Sequence, residues 1–128
     1  MSQFSNYLAS KLADHSLGVS TYTPPSTLYI GLFINNPGKD GSGIEVSGNG
    51  YSRQSISFNA SSDGVSKNSS TVTFTASGGS FGTVTHFALF DSIAVGNMLY
   101  FGMLGESRLI NDGETVTFNP STITVTLE

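Results

Sequence analysis

The chain has 128 residues, the length of one domain, with 38% apolar residues, only 11% charged residues and a net charge of −4. Its five basic residues, Lys11, Lys39, Arg53, Lys67 and Arg108, are scattered, which argues against a nucleic-acid surface. The lack of Cys excludes disulfides, thiolate metal sites and Cys nucleophiles.

No apolar run is long enough to span a membrane as a helix, and the opening residues lack the basic-then-apolar pattern of a secretory signal. Phe4, Leu8 and Leu12 recur four apart with Tyr7 beside them. That spacing predicts a short helix over residues 3–15, capped by Ser2 and ended by Gly18. Three turns are marginal in water, so the helix must dock on something. Thr23-Pro24-Pro25 then forms a stiff, extended connector.

Strands follow. Thr27–Phe33 is a mostly apolar strand, and residues 35–50, with five glycines, form a long loop. Tyr51–Phe58 alternates, with Tyr51 and Arg53 on one side and Ile56 and Phe58 on the other. Residues 59–70 are polar, with a turn at Asp63-Gly64. Thr71–Thr75 exposes one face and buries Val72 and Phe74. Ser77–Gly82 is a glycine turn. Thr83–Phe90 places Val84, His86, Ala88 and Phe90 opposite Thr85, Phe87 and Leu89. Met98–Met103, Glu114–Phe118 and Ile123–Leu127 complete the set. Seven or eight short strands between Gly, Asn and Asp turns predict an all-β fold. The form expected is a compact sandwich or jelly-roll-like barrel over residues 21–128, with residues 1–20 as a helical assembly arm.

Residues with chemical potential are few. Gly78-Gly79-Ser80-Phe81-Gly82 matches the hydrolase pattern G-x-S-x-G, but a strand follows where a helix is required, so it reads as a turn. His15 and His86 lack the co-ligands of a metal site. Asp40 and Glu45 in the long loop are too few oxygens for calcium. Asn59-Ala60-Ser61 and Asn68-Ser69-Ser70 read as chance glycosylation sequons. Phe58, Phe74, Phe90 and Phe118 read as core, leaving Tyr22, Tyr51 and Tyr100 as contact candidates. Arg53 is one of two arginines. It is either a solvated edge charge or a clamp that pins the 35–50 loop through Glu45. No catalytic residue, metal or cofactor is expected.

Four stretches carry a resemblance: Leu28–Phe33, Gly43–Gln54, Gly82–Asp91 and Asn97–Gly102. In their order and spacing they resemble a family of short tailed-bacteriophage virion proteins often labelled tail fibre proteins, and the N-terminal helix with Tyr22–Pro25 is similar too. The resemblance implies a non-enzymatic virion protein, assembled in the bacterial cytoplasm, that acts at the particle surface. A chain of this length without repeats leaves no room for a fibre shaft. The expectation is therefore a decoration or cement protein. It binds the outer head, the major capsid protein or other virion proteins as a homotrimer, and stabilises the shell by binding only its assembled form. The alternative is a tail fibre or receptor-binding tip, and a more distant one a carbohydrate-binding module. Phe4, Tyr7, Leu8, Leu12, Pro24 and Pro25 are the expected assembly surface. Neither nucleic acid nor membrane is expected as a partner.

Overall fold

Strand β1 (Ser2–Phe4) and helix α1 (Asn6–Ser16) begin the computed structural model, which describes residues 2–127. The helix starts three residues later than its apolar spacing suggests. Ser2–Phe4 pairs antiparallel with Tyr100–Gly102, so that backbone is committed to a sheet. Ser5 becomes the cap instead of Ser2. Its hydroxyl accepts from the Leu8 amide at 3.1 Å and donates to the Met98 carbonyl. At the other end the Leu17 amide bonds Ala13, and Gly18 takes the left-handed backbone that closes a helix.

The remaining strands are β2 (Leu28–Phe33), β3 (Gln54–Ile56), β4 (Val65–Lys67), β5 (Val72–Thr75), β6 (Gly82–Phe90), β7 (Met98–Ile110), β8 (Thr115–Phe118) and β9 (Thr124–Thr126). Five of them form one antiparallel sheet in the order β1-β7-β6-β2-β3. Two ribbons, β5-β8 and β4-β9, make the opposing layer. The fold is all-β with one short helix.

The main core lies between these layers. Ile30, Leu32, Ile56, Phe87 and Leu89 from the five-stranded sheet meet Val72, Phe74, Val116, Phe118, Ile123 and Val125 from the ribbons. A smaller cluster of Phe33, Ala88, Phe90, Met98 and Phe101 occupies the sheet's other face. There α1 packs on β7, and the Asn6 amide bonds the Lys39 carbonyl of the long loop. β2 is buried on both faces from Ile30 onward, which explains its unbroken apolar run.

Strand β6 departs from simple alternation. Val84 lies in the main core together with Phe87 and Leu89. The register slips between Val84, opposite Arg108, and His86, opposite Met103. Four residues of β7, 104–107, therefore face the single residue Thr85. This irregularity switches the phase of the side chains, as bulges do. The slip also explains why β7 runs through Leu104–Ile110, a stretch whose glycine and mixed charges read as loop.

Two strands come from sequence without strand character, β1 and β4. β4 follows a tight turn in which Asp63 and Gly64 both take positive φ, and it pairs with β9. Beside it Asn68 is fully buried and uses its whole amide. Nδ2 donates to the Ser70 and Asn119 carbonyls at 2.9 and 3.0 Å, and Oδ1 accepts from the Thr122 and Ile123 amides at 3.0 and 2.9 Å. A glycan on that nitrogen is incompatible with this packing, whatever the sequon.

Candidate functional site

The 35–50 loop is folded by its own short polar side chains. Asn36 Oδ1 accepts from the Gly38 amide, and Asp40 Oδ1 from the Ser42 amide. Hydrogen bonds from Ser42 hold the Asp40 carboxyl below its usual range. Asn35 Oδ1 accepts from the Ile44 amide at 2.7 Å and turns the loop back on itself. The chain then runs beside β2. The Ile34 amide bonds the Ile44 carbonyl, the Val46 amide bonds Leu32, and Glu45 sits opposite Phe33.

This return brings Glu45 against Gly31 of β2. A Cβ at Gly31 would stand 2.6 Å from Glu45 Oε2 and 3.0 Å from the Tyr51 hydroxyl. The missing side chain is the space that the carboxylate occupies. Around it a polar network closes. The Leu32 amide donates to the Tyr51 hydroxyl at 2.9 Å, and that hydroxyl donates to Glu45 Oε2 at 2.6 Å. Arg53 Nε donates to the same oxygen, and Arg53 Nη2 to Oε1, both at 2.9 Å. This fork is the bidentate geometry that makes Arg–carboxylate pairs strong and directional.

The third guanidinium nitrogen reaches another segment. Arg53 Nη1 donates to the carbonyls of Ser92 and Val95 at 2.9 and 2.7 Å. The 91–97 turn is itself closed by Asp91, whose carboxylate accepts from the Asn97 amide and side chain at 2.7 and 3.0 Å. Val95 holds a positive φ there, an unfavourable backbone for a β-branched residue. Arg53 therefore joins the end of the long loop to the turn between β6 and β7. It is 8% exposed, and the solvated edge charge considered for it from sequence does not occur.

Tyr51 is half-buried against the main core. Its ring stacks on Phe74 at 5.9 Å and meets Phe81 edge-on at 5.6 Å. Burial, then the hydrogen bond to Glu45, hold its phenol protonated far above its usual range. Its ring and hydroxyl are engaged within the chain. Burial also raises Tyr22 and Tyr100.

Every Arg53 nitrogen, both Glu45 oxygens and the Tyr51 proton are engaged within the chain. The arrangement is suited to holding two surface loops. Four aliphatic side chains stand on those loops or just beside them: Ile34, Ile44, Ile93 and Val95, the last 85% exposed.

Other sequence candidates lie apart from this network. Ser80 Oγ donates to the Ile110 carbonyl and accepts from the Gly82 amide, a turn role. His86 Nδ1 shares a hydrogen bond with Thr85, and burial lowers its pKa. His15 Nδ1 accepts from the Tyr22 amide. Among the described residues no three His, Asp or Glu side chains gather as metal ligands. No helix of the structure is long and apolar enough to cross a membrane.

The arm residues are divided among elements. Phe4 belongs to β1, Leu8 is buried, Tyr7 and Leu12 are half-buried, Pro24 is exposed and Pro25 half-buried. Residues 2–16 are tied to their own domain through Ser5 and through Ser2, whose hydroxyl accepts from the Thr126 amide at 2.9 Å.

The model of the family described as podophage GP4 fiber I protein gp80 matches residues 3–126. The chain belongs to this family. Among curated proteins none matches it. Membership makes it a virion protein of short-tailed phages, of a family labelled fibre. In this fibre-family member, Gly31, Glu45, Tyr51, Arg53, Phe90 and Asn97 all fall in the four stretches that carry the family resemblance.

Proposed function

We propose that the chain is a non-enzymatic structural component of the phage fibre, held in the particle by contacts with other virion proteins. The observation that carries this reading is the family match over residues 3–126, described as a fibre protein. The Tyr51–Glu45–Arg53 network supports it, because its hydrogen bonds serve loop geometry, joining the 35–50 loop to the 91–97 turn. The half-buried Tyr7 and Leu12, with the exposed Leu17 and Val19 that follow the helix, remain open as assembly contacts. Assembly takes place in the host cytoplasm.

A second reading, decoration of the outer head, is supported by the compact sandwich of residues 2–127, which contains no repeated shaft segment. A decoration protein stabilises the shell by binding only its assembled form. The test is cryo-electron microscopy of virions that carry the chain fused to a bulky tag. Extra density on the tail is the expected result. Density on the head lattice favours the second reading, and particles without the tag overturn both.

A further inference from the structure

Asn49-Gly50 is the chain's only Asn-Gly pair. It forms the exposed turn that leads out of the long loop. φ is 54° at Asn49 and 78° at Gly50, and the Tyr51 amide bonds the Gly48 carbonyl at 3.0 Å. Positive φ at both central residues is the type I′ turn, which Asn and Gly adopt most readily. This turn lies across a second one, residues 77–82. The Asn49 carbonyl accepts from the Ser77 amide at 2.9 Å, and Asn49 Nδ2 donates to the Ser80 carbonyl at 2.8 Å. The Asn49 carboxamide fills the space above Gly79, where a Cβ would stand 2.6 Å from Oδ1.

An Asn-Gly pair carries its own chemistry, because glycine has no side chain to hinder attack by its backbone nitrogen. The Gly50 nitrogen bonds to Asn49 Cγ, the Cγ–Nδ2 bond breaks, and Nδ2 leaves as ammonia with the proton that the backbone amide gives up. The resulting succinimide takes up one solvent water at either carbonyl. It opens to an aspartate or an isoaspartate at position 49. Two features of the folded chain oppose the first step. As the mirror of a type I turn, the type I′ turn holds ψ of Asn49 at about +30°, which points the Gly50 nitrogen away from the side chain it must attack. The leaving amide is also held on Ser80.

We infer that Asn49 is a deamidation site gated by the fold: it is protected while the 48–51 turn is docked on the 77–82 turn and reacts when the two part. The change runs one way. A carboxylate at position 49 has no proton to give the Ser80 carbonyl and sets oxygen against oxygen, so the two turns no longer hold each other. The long loop then loses an anchor two residues before Tyr51. The inference concerns the chain's own chemistry and holds wherever the protein sits in the particle.

The test is peptide mass spectrometry of the purified full chain after incubation at mildly alkaline pH, folded in buffer and unfolded in guanidinium chloride. Asn49 should deamidate in the unfolded chain, and about tenfold or more slowly in the folded one, where reaction waits for local opening. Gly79→Ala pushes the carboxamide off its seat and should speed deamidation of the folded chain, with far-UV circular dichroism as the check on folding. The product is also made directly as Asn49→Asp, in which hydrogen exchange across residues 77–82 should be faster than in wild type. That comparison decides the matter if Gly79→Ala does not fold. Three outcomes overturn the inference: equal rates in the folded and unfolded chain, no deamidation of Asn49 in the unfolded chain, or unchanged exchange across 77–82 in Asn49→Asp.

Discussion

The guanidinium of Arg53 sits over the ring of Phe90, with its central carbon 3.4 Å from the ring centroid. Phe90 in turn stacks on Phe33 at 6.1 Å. The charge is therefore held on one face by a ring and around its rim by four hydrogen bonds. Cation–π contact is strongest where water is excluded, as it is for a side chain this buried.

Replacing Arg53 with Ala removes all of this and strands the Glu45 carboxylate beside Gly31. Breaking a buried pair from one side typically costs about 3 kcal/mol or more. Urea unfolding should show that loss. Native-state hydrogen exchange should show faster exchange in both the 35–50 loop and the 91–97 turn. Arg53→Lys keeps the charge but not the fork, and should recover only part of the stability. Unchanged exchange in Arg53→Ala would remove the loop-holding role.

Gly31→Ala tests the same site from the strand side. The added methyl must displace the Glu45 carboxylate or the Phe90 ring, whose nearest carbon would be 3.2 Å away. Overpacking of this kind costs about 1–3 kcal/mol. The Gly31→Ala protein should melt earlier than wild type. In a Glu45→Ala background, where the obstructing oxygen is gone, the further loss should be smaller, a coupling that a double-mutant cycle measures.

Alkaline pH should destabilise the protein through Tyr51. Its phenol keeps its proton in the folded chain well above the usual value near 10, while the unfolded chain releases it there. Above that pH the folded state binds more protons, so stability falls as pH rises. The slope approaches about 1.4 kcal/mol per pH unit for one such group. Tyr22 and Tyr100, also raised, add to it in the same direction. Tyr51→Phe should be less stable at neutral pH and should have a shallower decline in unfolding free energy above pH 10. An equal slope in both proteins would show that Tyr51 is not the group responsible.

Asn68 is the fourth test. Asn68→Ala leaves two amides and two carbonyls without their side-chain partner, at about 1–3 kcal/mol for each group left unsatisfied in the interior. Asn68→Asp keeps the shape and the accepting oxygens but loses the two donated bonds. Thermal melts should rank wild type above both variants, and the 119–123 segment should exchange fastest in Asn68→Ala.

The class of fold was legible because most strands alternate cleanly, as in Val72-Thr73-Phe74 or Val116-Thr117-Phe118. The arm's start was not legible, because the backbone pairing that claims Ser2–Phe4 lies nearly a hundred residues away on β7. β4 was hidden by its polar composition, with Val65 as its lone apolar residue. The pairing of Arg53 with Glu45 was readable as one of two alternatives, since an arginine after a glycine-rich loop that holds an acid has an obvious mate. The parts played by Gly31, Tyr51 and Phe90 were not. Each belongs to a different element, and alternation in Tyr51–Phe58 suggested a longer strand than the three residues that form.

The bond between Ser2 and Thr126 spans 124 positions of the chain, and β1 meets β7 across nearly as many. Contacts this distant in sequence slow folding, because loop closure must precede the gain from pairing. A nascent chain emerging from the ribosome holds β1 ready but has nothing to pair it with until β7 has been made, and Ser2 waits longer still for β9. The fold therefore cannot close until β7 and β9 have been made. A ribosome-bound chain arrested before β7 should remain protease-sensitive throughout, including in its N-terminal arm.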